Sequence, residues 1–327
     1  MNRTFALSAY TRRRFGERVL KIPLDAGFSC PNRDGALSRA GCLFCNPRGS
    51  GSDLLRSGLS LAEQWTFWRD IHRGKHGVRL FTAYLQSFSN THGPIEKLAA
   101  TLDRIAGLPG LAALSIGTRP DCLDPAKLDL LADQRRRLGL TDIFLELGLQ
   151  SASDATLAHI NRGHTVADFT AATQAAADRG LLVVAHVMAG LPTPIDATHP
   201  EGRETGDDLL RTVTLLNTLP IHGVKFHNTY VCKNTPLAHQ HAQGRYTPLT
   251  LAQYLAQLAA ALLHLKPTVV VHRLNANPAT GELVAPDWAG NMRRLHNQVR
   301  DYLEANDVWQ GKRNGAESGV PEWFTAE

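Results

Sequence analysis

The sequence predicts an α/β fold built on one parallel sheet, and three observations predict it. Short apolar runs rich in β-branched residues alternate with stretches of helical period along almost the whole chain. Helix-start residues stand where the helical stretches begin. No internal repeat or low-complexity linker breaks the alternation, so one continuous domain with terminal decorations is expected. Spacing of this kind demands right-handed crossovers and leaves two architectures open, a doubly wound sheet or one curved into a barrel.

The elements follow in order. Arg18–Leu24, "RVLKIPL", reads as a first strand, and Leu61–His72 as a helix. Val78–Gln86 reads as a buried strand, and Ile95–Gly107 as a helix ended by its glycine. The alternation continues through "LAALSIG", "PAKLDLLADQRRRLG", "DIFLELGLQ", "TVADFTAATQAAADRG", "LLVVAHVMAG", "TGDDLLRTVTLLNTL" and "GVKFHNTYV". Asp124 before Pro125 and Thr165 before Asp168 are N-terminal caps of two of these helices. After Tyr246 come a long helix, the strand-like "TVVVHRLNA" and an amphipathic helix from Asn291.

Composition narrows the class. In 327 residues, 43% hydrophobic and 20% charged, there is material for a sizeable core, and intrinsic disorder is excluded. The start, "MNRTFALSAYTRRRFGERVL", carries arginines but no apolar run with a cleavage site, which argues against secretion. The longest apolar run, from Leu181, is too short for a bilayer, so no membrane partner is expected. The chain reads as cytoplasmic. A net charge of +5 is modest, yet basic clusters stand at Thr11–Arg18, Gln134–Arg137 and Met292–Arg300. They suit solvated helix faces or a polyanion footprint, and charge alone does not choose.

Cysteine usage is more pointed. Three of the five cysteines lie within sixteen positions, as Cys30-x11-Cys42-x2-Cys45, in the loop after the first predicted strand. An odd number of thiols in a cytoplasmic chain favours metal or redox chemistry over a disulfide framework. Four thiolates would close a zinc or iron–sulfur site, whereas three leave a cubane cluster with one iron open to a small molecule. A structural zinc knuckle completed by His72, His76 or Cys122 stays open at this point.

Parallel α/β folds carry their sites at the carboxyl ends of strands. Those ends here are Tyr84–Thr91, Ser115–Leu123, Glu146–Ser151 and His186–Pro192. A period of two puts Glu146, Gly148 and Gln150 on one face of their strand, and aligns His186, Met188 and Gly190 on another. Polar groups flanking a glycine in a buried strand suit a ligand or a satisfied pair inside a barrel.

The cysteine loop, "GLQS", "NRGH" and "AGLP" together resemble the radical S-adenosylmethionine (SAM) superfamily, in the branch of elongator-type and oxygen-independent coproporphyrinogen oxidase-type enzymes. "RFGERVLKIPLDAGFSCPNRDG", "IGTRPDCL", "LELGLQSASDATLAHINRGHT" and "VHRLNANPATGELVAPDW" resemble more closely the bacterial YhcC/YtqA family, from about Tyr10 to about Trp309. The resemblance implies a partial (β/α)6 TIM-like barrel over 18–245, an N-terminal arm over 1–17 and a helical C-terminal extension over 246–327 packed on the barrel.

It also implies a [4Fe–4S] cluster on Cys30, Cys42 and Cys45, whose open iron chelates the amino and carboxylate groups of SAM. Phe44 stands where relatives place an aromatic near the adenine. Gln86 and Ser87 stand where many relatives have Gly-Gly-Glu for the methionine amine, a departure from that pattern. Gln150 matches the glutamine of "GxQS", and Arg162, twelve residues on, matches an arginine directed at the SAM carboxylate. In a helical reading, Arg162 is instead a last-turn cation before a capping Gly163. His186 stands where some relatives have an aspartate on the ribose. The eleven-residue cysteine gap departs from the superfamily's commonest three-residue gap and agrees with the closer family.

The implied activity is reductive cleavage of SAM to methionine and a 5′-deoxyadenosyl radical that takes hydrogen from a substrate, fed by a low-potential electron donor such as flavodoxin or ferredoxin. The substrate is not given. Lys225, His227, His272, Arg273, Asn275, Asp287 and Trp288 are candidate contacts, and ordinary strand ends and turns explain them as well. Cys122 and Cys232 read as packed thiols. Nearness to tRNA-modifying enzymes suggests tRNA by analogy alone. A zinc-stabilised RNA-binding protein without catalysis and a barrel acting as a scaffold are the competing readings.

Overall fold

The computed structural model describes residues 2–47, 49 and 57–314. The final stretch of the expected C-terminal extension, 315–327, lies outside the described residues. Helix α1 (Leu7–Phe15) ends at Gly16, whose left-handed φ of 75° turns the chain into β1 (Val19–Leu24). The cysteine loop follows, with a one-turn helix α2 (Pro31–Asp34), and then α3 (Leu61–His76).

Regular alternation begins there: β2 (Leu80–Leu85), α4 (Ile95–Ile105), β3 (Leu111–Thr118), α5 (Pro125–Arg137) and β4 (Asp142–Gln150). Next come α6 (Asp154–His159), α7 (Val166–Ala177), β5 (Leu182–Ala189), α8 (Gly206–Thr218) and β6 (Gly223–Asn228). The remainder is β7 (Val231–Cys232), α9 (Pro236–Ala242), α10 (Leu251–His264), β8 (Val270–Arg273), β9 (Leu283–Ala285) and α11 (Met292–Ala305). Both expected caps form. Asp124 accepts from Lys127 N with Pro125 at the first turn, and Thr165 and Asp168 make a reciprocal capping box.

Seven parallel strands run in the order β1-β2-β3-β4-β5-β6-β8, so the sheet has one strand more than the expected six. The seventh comes from "TVVVHRLNA", beyond the expected barrel boundary. β7 and β9 form a separate antiparallel ribbon. The sheet curls far enough that Lys21 on β1 touches Glu146 on β4 and stands 3.5 Å from His272 on β8. This is a TIM-like half-barrel with helices packed outside.

The principal apolar core lies between the outer face of the sheet and α3, α4, α5, α7, α8, α10 and α11. It includes Trp65, Phe81, Phe169 and Tyr254. The inner face is layered. At its base Ala113, Phe144 and Val184 pack against Tyr10 and Phe15 of α1. Tyr10 donates to Asp142 at 2.8 Å, Arg14 pairs with the same carboxylate at 3.0 Å, and Ala6 forms a parallel bridge to Val271. The segment expected as an arm is thus a plug closing the gap between the first and last strands. Above it the inner face turns polar. Among the described residues no helix is long and apolar enough to cross a membrane.

Candidate active site

The middle layer of the half-barrel is a charged ring on a sheet otherwise rich in apolar residues. Glu146 is buried and is held on both sides, by Lys21 of β1 through Oε1 and by Lys225 of β6 through Oε2. Ser115 of β3 donates to Oε1 at 2.6 Å, and Lys225 reaches the Tyr84 hydroxyl at 3.3 Å while lying over that ring at 4.5 Å. Burial would push the Glu146 carboxyl up; the two ammonium groups outweigh it and hold the carboxyl well below its usual range. Burial brings Lys225 down to about 7 in spite of Glu146.

Above this ring opens a cavity of about 440 Å³ at the carboxyl ends of the strands. Its wall includes Cys30, Cys42, Phe44, Cys45, Gln86, Gln150, Arg162 and His186, eight of the nine residues expected at the site. Ser87, the ninth, is not part of the wall; it is 1% exposed, and its Oγ has no hydrogen-bond partner among the described residues. Of the other candidates, Lys225, His227 and Arg273 line the cavity. His272 sits below it, beside Lys21. Asn275 turns to Met292 at 2.9 Å, and Trp288 stacks on Tyr254 and donates to the Leu249 carbonyl at 3.1 Å. Those two serve packing.

The thiols are held by their own loop. Cys30 caps α2, Cys45 N donates to the Cys42 carbonyl at 3.0 Å, and Arg33 donates to the carbonyls of Cys45 and Asn46 at 2.7 and 2.8 Å. Asn32 donates to the Asn161 and Arg162 carbonyls and stands 3.6 Å from Cys42 Sγ. Phe44 packs between Met188 and Leu191 on one side and Val231, Leu237 and Tyr246 on the other.

Arg162 is not a last-turn cation. α6 ends at His159, and the side chain turns inward from the loop that follows. It donates to the Gly148 carbonyl and to His164 Nε2, both at 2.9 Å, and its Nη1 lies 3.8 Å from Cys42 Sγ. Burial and Arg162 itself bring His164 down to about 4, so its neutral ring can accept.

Gln150 departs from strict alternation. A bulge between Gly148 and Gln150 shifts the register against β5, and Gln150 takes a left-handed φ of 74°. Its Oε1 still meets His186 Nδ1 at 2.9 Å, while His186 Nε2 lies 3.2 Å from Arg273 Nη2. Burial, His227 and Arg273 hold the His186 ring neutral. Nδ1–H then donates to Gln150 and Nε2 accepts from Arg273.

Sequence reading passed over Lys21, Tyr84, Ser115 and Arg119. Lys21 is a single charge within an apolar strand, and that was a usable signal. Arg119 forms a two-pronged pair with Asp121 at 2.8 and 2.9 Å and keeps Nη1 buried without a partner among the described residues. Burial pushes the Cys122 thiol up to about 11 and the Cys232 thiol up to about 12, as suits packed thiols. In the second basic cluster, Arg136 pairs with Asp133, Arg137 with Asp103, and Arg135 donates to the Gly180 carbonyl at 2.8 Å. Most of that charge is answered locally.

The comparisons bear on this geometry. The family described as Radical SAM superfamily matches residues 39–199, and the Radical_SAM C-terminal domain matches 221–305. Protein YhcC of Escherichia coli K12 is 35% identical over 304 residues, covering 93% of each chain. The chain belongs to the radical SAM superfamily, in the YhcC family. It is an enzyme of the radical SAM type. A solved structure of Elp3 from the archaeon Methanocaldococcus infernus, lacking its N-terminus, shares the fold: the TM-score is 0.66 at 17% identity, over 94% of this chain and 70% of that one. A shorter stretch of 80 residues is 41% identical to the tRNA uridine(34) acetyltransferase of Methanocaldococcus jannaschii, 24% of this chain and 14% of that protein.

Membership in the radical SAM superfamily implies SAM and an iron–sulfur cluster, and the residues present fit both. Three thiols from one loop border the cavity. Among the described residues no three His, Cys, Asp or Glu side chains gather tightly enough for a single ion. For SAM, Gly148 clears a cradle: a Cβ there would fall 2.2 Å from Arg162 Nη2 and 2.6 Å from Gln150 Nε2.

Proposed function

We propose that this radical SAM enzyme carries a [4Fe–4S] cluster on Cys30, Cys42 and Cys45 and cleaves SAM reductively to act on a substrate held over the charged ring. The supporting observation is a single cavity that gathers the cysteine loop, Phe44 included, with Gln86, Gln150, Arg162 and His186 from four further places in the chain. When bound, the pair supplies one-electron cleavage of the sulfonium to methionine and a 5′-deoxyadenosyl radical.

The protein's part is to bind, orient and exclude water. Arg162, anchored by Gly148 and His164, offers its remaining donor capacity to the SAM carboxylate. His186 fixes Gln150 through its Oε1, so that the Gln150 amide nitrogen is turned to the amino-acid portion, and the His186 ring stands beside the ribose. Phe44, wedged between two apolar clusters, gives the adenine a flat wall. Gln86 and the buried Ser87 close the second strand end, in place of the Gly-Gly-Glu of many relatives.

A low-potential donor such as flavodoxin or ferredoxin supplies the electron, which suits a reducing cytoplasm. The substrate class suggested by the acetyltransferase similarity is tRNA. A comparison of tRNA nucleosides between a parent strain and one lacking this gene tests that choice.

The class is tested by anaerobic purification. Protein so prepared should be brown, hold about four iron and four sulfide per chain, and release 5′-deoxyadenosine on reduction with SAM. Cys42→Ala should lose most of the iron and sulfide. Stoichiometric zinc without labile sulfide after anaerobic reconstitution would overturn the reading and favour the zinc-stabilised alternative.

A further inference from the structure

The half of the cavity facing β6 and β8 carries cations that the chain itself does not answer. Lys21 and Lys225 share one carboxylate, Glu146. Arg273, the next cation round the wall, has no carboxylate partner among the described residues. Among the described residues its Nη2 meets only the neutral His186 ring, at 3.2 Å, and its Nε is buried without a hydrogen-bond partner. Lys225 and Arg273, in register on β6 and β8, therefore bring two cations to the wall, while Glu146 is shared between Lys225 and Lys21 below.

Unanswered charge in a desolvated wall is costly. Lysine can shed it by losing a proton; arginine cannot. Arg162, across the cavity by Cys42, already has the SAM carboxylate as its proposed partner, so the surplus on β6 and β8 is left for another molecule.

We infer that Arg273 and Lys225 form an anion subsite that seats a carboxylate or phosphate group of the substrate beside SAM. This rests on the proposed function, since it takes the cavity to be the reaction chamber. An acid group anchored there would leave the rest of a small substrate lying over His186 and His227, towards the cysteine loop. A guanidinium and an ammonium at one wall match an oxyanion in charge and in donor geometry.

Inorganic phosphate and carbon-13 acetate are suitable probes, followed by line broadening in magnetic resonance. Anaerobically loaded protein is held with saturating SAM, without reductant, at constant ionic strength. Saturable broadening of at least one probe is expected, and the probe bound more tightly identifies the acid class. Arg273→Gln should weaken that binding roughly tenfold or more, the usual effect of losing a charge-assisted hydrogen bond. Arg273→Lys should keep most of it, and Lys225→Met should weaken it independently.

Absence of saturable broadening, equal binding by Arg273→Gln, or displacement of the probe by SAM would overturn the subsite. Iron and sulfide assayed on the same samples keep the two readings apart. Protein that cannot be loaded contradicts the proposed function, whereas loaded protein that ignores both anions contradicts only this inference.

Discussion

At Gly148 a single methyl group would displace the residue proposed to hold SAM. The nearest atom to an added Cβ is the tip of the flexible Arg162 side chain, so the strand would survive and the guanidinium would move. Gly148→Ala should therefore leave iron and sulfide near the parent's values. The SAM dissociation constant should rise roughly tenfold, as a charge-assisted contact is lost. Equilibrium binding of SAM without reductant measures it, and unchanged affinity would remove Arg162 from the SAM site. The period of two put Glu146, Gly148 and Gln150 on one face, but it did not show the bulge through which Gln150 reaches that space. A bulge is set by backbone geometry at one position, and no pattern of apolar residues announces it. Arg162 was visible only through resemblance, because its inward turn depends on Gly148 and Asn32 from separate segments, with His164 beside it in the same loop.

Among the elements, the connection after β5 carries a group with its own pH signature. Glu204 N donates to the Leu191 carbonyl at 2.8 Å, and Ser151, just past β4, donates to the Glu204 carboxylate at 2.5 Å. Burial pushes this carboxyl up to about 7, against the pull of Ser151 and Thr156. Below pH 4.5 both folded and unfolded chains hold the proton. Between there and about 7 the folded chain holds it and the unfolded chain does not, so stability falls as pH rises through that window. Glu204→Gln should remove this loss. Urea unfolding at pH 8 should show the variant more stable by about 3 kcal/mol, with little difference near pH 4. A parent stability that is flat across the window would refute the assignment. At this scale the sequence was most legible. Strand runs, helix caps and the strand-end positions of the site follow from local pattern. α1 was not legible as a plug, because Tyr10 and Phe15 show too little period to reveal a partner, and that partner lies on β3, β4 and β5.

Over the whole molecule, the greasy layer and the chemical layer lie on opposite sides of one sheet. Helices bury the outer face, α1 packs at the base, and the polar interior opens at the carboxyl ends. The sequence pointed to this division by placing Glu146, His186 and Lys225 within apolar strands, while net charge said nothing about where the cations gather. The surplus on β6 and β8 appears only once the curl brings Lys21 and Lys225 to the same carboxylate.

The seal at the base also sets an order of events in folding. Each strand of the sheet pairs with the one laid down before it, so the sheet can lengthen by successive local steps. Phe5 N, by contrast, donates to Gln310 at 2.9 Å across 305 positions, and Val271 N donates to Phe5 O at 2.7 Å. Contacts that distant must overcome the entropy of closing nearly the entire chain into a loop. Pulse-labelled hydrogen exchange during refolding should find the amides of β2 to β5 protected before those of Phe5 and Val271. Simultaneous protection would place the chain ends in the folding nucleus. In the expected order the thiols of the cysteine loop are present from early on, but the seam between Phe5 and Val271 is made last, so stable loading of the proposed cluster belongs to the final stage of maturation.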